Sequence, residues 1–266
     1  MKNEHNPALL QGNWPVRCVW GGSGARYIAS EAKAPLLAVV VDVCSFSTCV
    51  SMATDRGAVV YPYRWRDTGA ARLAERTGAI LASQRHHRGV GDPPGQLSLS
   101  PASILAAEPF KALVLPSPNG STISASLAET GAEVVVGCLR NARAVGDYAA
   151  DHLARGGEVL VVSAGERWPD GTMRVASEDL WGAGAILCAF PAESRSPEAE
   201  VAVDAYRAVK RTLPGRLKTI SSGIELIALG YGDDVNLIGQ LNASNGVPIL
   251  VDGAFQAATR KPRQLT

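Results

Sequence analysis

Leu36-Leu37-Ala38-Val39-Val40-Val41-Asp42 opens on six consecutive apolar residues and ends on an acid. A Val-rich run with no polar alternation predicts a strand covered on both faces, as in the middle of a parallel sheet. Beyond it, Ser47 to Arg56 reads as a helix that Gly57 ends, so Asp42 stands where a strand hands over to a helix. The same unit recurs on both sides. Upstream, Val16 to Trp20 reads as a strand followed by the glycine-rich turn Gly21-Gly22-Ser23-Gly24. Downstream, strands are expected at Ala58–Tyr63, Gly78–Ala82, Ala112–Leu115, Glu133–Gly137 and Glu158–Ala164. Helices are expected at Asp67–Arg76, Ser121–Glu129, Ala142–Ala154, Ser177–Phe190 and Glu198–Arg211. The last third reads as helical until a closing strand, Pro248–Val251. Alternating strands and helices specify an α/β fold: a three-layer α/β/α arrangement with a parallel or mixed central sheet. Residues 1–190 are expected to form the catalytic core. Residues 191–266 are expected to form a mainly helical C-terminal part on the same core, with Pro191 to Pro197 as the linker candidate.

Composition narrows the function classes. With 26 basic and 25 acidic residues the chain carries a formal charge of +1, without the basic excess of a nucleic-acid-binding face. Pro35 to Val41 is the longest apolar stretch and is too short to span a bilayer, so no membrane partner is expected. Met1 to Gln11 is polar, so no secretory leader is expected. Five cysteines (Cys18, Cys44, Cys49, Cys138 and Cys188) match no zinc spacing and indicate a reduced, cytoplasmic protein. Self-association into a homo-oligomer stays open.

In open α/β sheets, ligands bind beyond the carboxyl ends of the strands. Three such ends carry polar clusters here. The first is Asp42 with Ser45, Ser47 and Thr48. The second is Pro118-Asn119-Gly120-Ser121-Thr122, where a tight turn enters a helix and free main-chain N–H groups suit an anion; an ordinary turn with an N-cap is the plain alternative. The third is Gly165-Glu166-Arg167, continuing to Ser177-Glu178-Asp179, whose acids would otherwise simply complement a helix dipole. Asp42, Glu166, Glu178 and Asp179 together would repel one another unless a cation shared them. Oxygen ligands suit Mg²⁺, which also holds phosphate oxygens, and Arg167 would balance the phosphate. No Arg follows any Cys by six residues, and Cys44 rather than an acid stands two after Asp42. Cysteine-phosphatase and haloacid-dehalogenase chemistry are therefore not indicated. His86 and His87 read as a solvated pair.

At these motifs the sequence resembles the 2-phosphosulfolactate phosphatase family of coenzyme M biosynthesis. The agreement runs in order through Val41-Asp42-Val43 with Ser47-Thr48, and Ser117-Pro118-Asn119-Gly120-Ser121. It continues through Gly137–Asn141 with Ala144-Val145, and Gly165-Glu166-Arg167 through Glu178-Asp179 to Gly182–Ile186. The resemblance implies an Mg²⁺-dependent phosphatase of α/β/α fold acting on a phosphorylated hydroxy-sulfonic acid. On that reading Asp42, Glu166 and Arg167 are catalytic. Ser47, Thr48, Asn119, Gly120, Ser121 and Thr122 bind phosphate. A subset of Asp42, Asn119, Glu166, Glu178 and Asp179 holds the metal.

Two departures bear on the substrate. Ser45 stands where the family usually has Arg, and Gln96-Leu97-Ser98-Leu99-Ser100-Pro101 replaces Asp-Leu-Gly-Asn-Ser-Pro. Ser45 cannot supply a guanidinium fork, so sulfonates are expected to be discriminated poorly unless Arg64, Arg66, Arg85 or Arg88 fills the gap. The rivals are a non-catalytic phospho-ligand-binding homologue and a phosphatase of a different hydroxy-acid or sugar phosphate. Carboxylates paired off to Arg or Lys would favour the binder.

Overall fold

The computed structural model describes residues 7–64, 67–83, 85 and 95–258. Arg66, His86, His87 and Arg88 lie outside the described residues. The chain runs β1 (Val16–Trp20), α1 (Gly21–Ser30), β2 (Leu36–Val41), α2 (Phe46–Asp55), β3 (Val59–Tyr63), α3 (Thr68–Thr77), β4 (Ile80–Leu81), α4 (Pro101–Ala106), β5 (Ala112–Pro116) and α5 (Gly120–Ala128). It continues through β6 (Glu133–Gly137), α6 (Ala142–Ala154), β7 (Glu158–Ser163), β8 (Glu166–Arg167), β9 (Met173–Arg174) and α7 (Ser177–Leu187). It ends with α8 (Pro197–Val209), α9 (Leu213–Leu217), α10 (Ser221–Ala228), α11 (Gly232–Ile238), β10 (Pro248–Val251) and β11 (Ala254–Ala257).

Alternate residues of β2 explain the layers. Leu37, Val39 and Val41 join a core beneath α6, α7 and α8, which includes Val145, Ile186 and Val203. Leu36, Ala38 and Val40 join a second core with Ile28 of α1, Val50 of α2 and Leu127 of α5. Successive side chains of a strand point to opposite faces; both faces of β2 are covered, so every position is apolar and buried. This is a three-layer α/β/α structure, as the continuous apolar run required.

Among the described residues nine strands form one sheet in the order β1-β7-β2-β6-β10-β11-β3-β5-β4. The sheet is mixed. β1, β7, β2 and β6 are mutually parallel, as are β3, β5 and β4. Between the two blocks sits the antiparallel hairpin β10–β11, held to β6 by the pair Ile249–Val135 and to β3 by Phe255–Val60, both antiparallel. Pro248–Val251 therefore lies inside the sheet, not at its edge. Asp252 and Gly253 turn this hairpin with φ of 50° and 80°, as an Asp-Gly type I′ turn demands.

One local expectation fails. Gly21-Gly22-Ser23-Gly24 is the first turn of helix α1, not a loop. Gly is a poor helix former, but Ala25 and Ile28 are buried in the core on this helix. Packing overrides propensity there. No helix of the described residues is long and apolar enough to cross a membrane.

Candidate active site

Asp42 follows β2 directly and is 5% exposed. Its Oδ2 accepts the main-chain N–H of Gly120 at 2.8 Å, and its carboxylate also accepts from the N–H of Phe46. It thus sits across the first turns of α2 and α5, where helix dipoles favour an anion. The turn around it is closed by its own hydroxyls. The N–H of Asp42 donates to Ser47 Oγ at 2.8 Å, Ser47 Oγ donates to the carbonyl of Val40 at 3.2 Å, and Thr48 Oγ1 donates to the carbonyl of Val43 at 2.8 Å. Ser47 and Thr48 are fully buried. The structure therefore spends both, read as phosphate ligands in the sequence, on satisfying the end of a buried strand.

The turn after β5 divides. Gly120 N–H is taken by Asp42 and not left for an outside anion. A Cβ on Gly120 would lie 2.2 Å from Phe46 Cδ1 and 2.8 Å from Asp42 Oδ2, so only glycine lets the two helix starts meet at this carboxylate. Ser121 is buried, and its Oγ donates to the carbonyl of Leu115 at 3.3 Å. Asn119 and Thr122, in contrast, line a cavity.

The third strand end supplies the remaining acids. Asp179 Oδ1 accepts the N–H of Val43 at 2.7 Å and Oδ2 that of Gly165 at 2.9 Å, tying the loop after β2 to the loop after β7. Gly165 makes that loop with φ of +70°, a conformation that other residues rarely adopt. Glu178 hydrogen-bonds Ser222 at the start of α10. Glu166 Oε2 accepts from Asn119 Nδ2 at 2.9 Å, while Arg167 Nε donates to Asn119 Oδ1 at 3.2 Å. Asn119 thus bridges the hairpin β8–β9 and the turn after β5. Arg167 also donates to the carbonyl of Gly171 across the hairpin.

Burial dominates the electrostatics. It pushes Asp42 up to about 6, with Glu178 adding repulsion and Gly120 and Phe46 N–H groups opposing. It pushes Glu166 up to about 7, with Asp42 and Glu178 adding repulsion. Asp179 is raised well above the usual carboxylate range, again by burial first and then by Glu178 and Asp42. Glu178 is raised by burial as well. Among the described residues, none of these four acids makes an ion pair with Arg or Lys within 4.0 Å.

The cavity beside them holds about 460 Å³. Asn119, Thr122, Glu166 and Arg167 face it, together with Gly21, Gly22, Ser23 and Arg26 from the start of α1 and Ser126 from α5. The α1 residues were not read as site residues. Their signal was a glycine-rich segment at the carboxyl end of β1, a fourth strand end of the same kind.

Among the described residues no three His, Cys, Asp or Glu side chains form a ready metal-ligand group. The donor chemistry nevertheless fits a hard divalent cation: carboxylate oxygens close enough to repel, without an ion-pair partner within 4.0 Å among the described residues. Asp179 and Asn119 are the least available of the expected ligands, since both oxygens of one and both amide ends of the other serve the protein itself. Asp42, Glu166 and Glu178 are the better-placed donors.

Fold and candidate site together describe an α/β/α protein in which an acidic cluster at the carboxyl ends of the strands adjoins a cavity bearing guanidinium, amide and hydroxyl groups. Residues 26–253 match the model of the 2-phosphosulpholactate phosphatase family, and the chain belongs to that family of phosphoric monoester hydrolases. Among its relatives is the 2-phosphosulfolactate phosphatase of Methanothermobacter thermautotrophicus, 30% identical over 83% of this chain and 89% of the relative. Another is a Deinococcus radiodurans protein named "Probable 2-phosphosulfolactate phosphatase", 30% identical over 84% of this chain and 91% of its own.

Proposed function

We propose that this chain is an Mg²⁺-dependent phosphatase of a small phosphorylated hydroxy acid, of the kind its relatives are named for. The observation that carries the reading is the cluster of three buried carboxylates and the half-buried Glu166, without ion-pair partners among the described residues, opening through Glu166 onto a cavity that Arg167 also lines. A binding protein that had lost catalysis would neutralise such acids with Arg or Lys, because buried unpaired charge is costly.

Asp42 and Glu178 would hold the cation. When bound, Mg²⁺ supplies charge stabilisation to phosphoryl oxygens and orients water. The chain's own groups do the rest. Arg167 and Thr122 bind and orient the phosphoryl oxygens in the cavity. Asn119 fixes Glu166 and Arg167 relative to each other. Glu166 is the group that holds or takes a proton: its carboxylate accepts one from the attacking water as the water oxygen bonds to phosphorus and the P–O bond to the alcohol breaks, the departing alkoxide taking its proton from solvent. Asp179 positions the two loops without touching substrate.

Phosphate release from a panel of phosphorylated hydroxy acids, sugar phosphates and 4-nitrophenyl phosphate, with Mg²⁺ and with EDTA, tests the reading. Metal-dependent release, greatest for a phosphorylated hydroxy acid, is expected. Release that EDTA leaves unchanged removes the metal. No release from any ester, with phosphate binding intact, replaces the enzyme with a binding homologue.

A further inference from the structure

Helices α1 and α5 run side by side away from the acidic cluster. A Cβ on Gly22 would lie 3.4 Å from Ile123 Cγ1, and one turn further on Arg26 Nη1 donates to Ser126 Oγ at 3.5 Å. The cavity of about 460 Å³ follows this seam from Thr122 to Arg26 and Ser126. It does not end there. A second cavity of about 390 Å³ shares Ser23 and Arg26 with the first and is otherwise lined by Tyr27, Ser30 and Thr130. The walls repeat every fourth residue, the spacing of one helical face. Thr122, Ser126 and Thr130 form one side, and Gly22, Arg26 and Ser30 the other. Eight residues at a helical rise make the seam about 12 Å long. A three-carbon alcohol, two C–C bonds or ~3 Å long, held by its phosphate at Arg167 and Thr122 would not reach the second cavity.

The lining selects the chemistry. Thr130 Oγ1 donates to the carbonyl of Leu127 at 2.6 Å, and Ser30 Oγ donates to that of Tyr27 at 3.0 Å. Each hydroxyl still accepts through its oxygen, so the seam offers acceptors to donors on a ligand. Tyr27 is 55% exposed, and the negative face of its ring suits C–H groups. A hydrocarbon chain would take water from these hydroxyls and give no partner in return. The charge of Arg26 is already answered by Glu129 at 3.6 Å, which Arg64 also reaches at 3.4 Å, so the seam does not call for a further anion. A neutral chain carrying several hydroxyls suits all of these groups.

We propose that the seam between α1 and α5 is a subsite for a polyhydroxylated chain, so that the preferred ester is the phosphate of a sugar acid or sugar alcohol long enough to pass Arg26. The proposal rests on the phosphatase reading and extends the alcohol beyond the carbon that bears the phosphate.

Steady-state kinetics with Mg²⁺ on 3-phosphoglycerate, 4-phosphoerythronate and 6-phosphogluconate is the test, because the hydroxylated chain grows while the carboxylate stays constant. Glucitol 6-phosphate supplies the long chain without the acid. The wild type is expected to favour both six-carbon esters over 3-phosphoglycerate by about tenfold or more in kcat/KM, the worth of two hydrogen bonds. Ser30→Trp fills the second cavity from an exposed position and should bring that ratio to within about threefold of one. Tyr27→Ala removes the ring face and should lower the ratio about two- to fivefold. Thermal melts check that both variants fold. Calorimetry on Glu166→Gln reads the same ratios as affinities without rapid turnover. No gain with chain length in either readout, or a gain that Ser30→Trp leaves intact, overturns the proposal. A gain confined to 6-phosphogluconate assigns the seam to an acid and overturns it as well. The phosphatase reading fails separately. Esters that bind with this length dependence but release no phosphate in the wild type sink the enzyme and leave the subsite; turnover indifferent to chain length does the reverse.

Discussion

The turn after β2 and the face formed by the start of α5 with the β8–β9 hairpin carry similar side chains and use them in opposite ways. After β2, Ser47, Thr48 and Asp179 all bond main-chain groups. On the other side, Asn119, Thr122, Glu166 and Arg167 face open space. The main chain explains the difference. β2 lies between β7 and β6 under two layers of helix, so its last N–H and C=O groups have no water and side chains must satisfy them. The hairpin β8–β9 pairs with no other strand among the described residues, and Glu166 and Arg167 on it reach the cavity. One region is scaffold and the other is, on the proposed reading, the reactive surface, although Asp179 and Glu166 belong to a single acidic cluster.

The sharpest way to break this division is Glu166→Gln. If Glu166 moves the proton, kcat falls about 10²–10⁴-fold. Stability should be unchanged within about 0.5 kcal/mol or rise, because a buried charge is removed and the amide still accepts from Asn119. Steady-state kinetics with a urea melt on the same preparation decides it; a variant that loses stability instead of turnover places Glu166 on the scaffold side.

Asp179→Ala is the converse. It strands two buried N–H donors, those of Val43 and Gly165, at about 1–3 kcal/mol each, partly offset by relief of repulsion from Glu178 and Asp42. A net loss of about 2–4 kcal/mol in urea unfolding is expected. Asp179→Asn, which keeps one acceptor, should lose about half. Full stability in Asp179→Ala would refute the scaffold role.

The cluster as a whole predicts an unusual pH dependence. Asp42 at about 6 and Glu166 at about 7 are raised in the folded state. A raised carboxyl favours folding when protonated, so its contribution is full below the unfolded value near ~4 and is lost as pH rises through about 6 to 7. Without divalent cation, stability from this cluster should fall by about 2 kcal/mol between pH ~5.5 and ~8. Mg²⁺ should raise the melting temperature more at the higher pH, where the acids are charged and need it. A double variant, Asp42→Asn with Glu166→Gln, should flatten both responses. An Mg²⁺ effect equal at both pH values would detach the metal from these carboxylates.

Most of the fold could be read because long apolar runs and amphipathic stretches speak for themselves. β6, α6 and β10 have the bounds that the residues imply, and β2 and β5 differ by one residue. What escaped was short or held by tertiary contacts. α1 starts with glycines, β8 and β9 have two residues each, and β11 is four residues hidden behind an Asp-Gly turn. The candidate site was legible as a set of strand ends. Its division was not, because whether a serine faces a cavity or a carbonyl depends on which strand lies next to it. Leu99, which replaces an expected Asn, packs against the second core, a fate that no local pattern announces.

The smallest predicted effect tests the division at adjacent positions. Ser121 and Thr122 open the same helix and offer the same hydroxyl. Ser121 Oγ is buried against the carbonyl of Leu115, whereas Thr122 lines the cavity. Ser121→Ala should lower stability by about 0.5–1.5 kcal/mol, the net worth of one buried hydrogen bond, with KM unchanged. Thr122→Ala should leave stability within about 0.5 kcal/mol and raise KM by about two- to tenfold, the same free energy drawn from the substrate complex. Each substitution is the control for the other, since both remove a hydroxyl from the first turn of α5. Should both variants move the same observable, the boundary between scaffold and reactive surface does not run between these two residues, and Thr122 joins Ser47 and Thr48 in holding the turns.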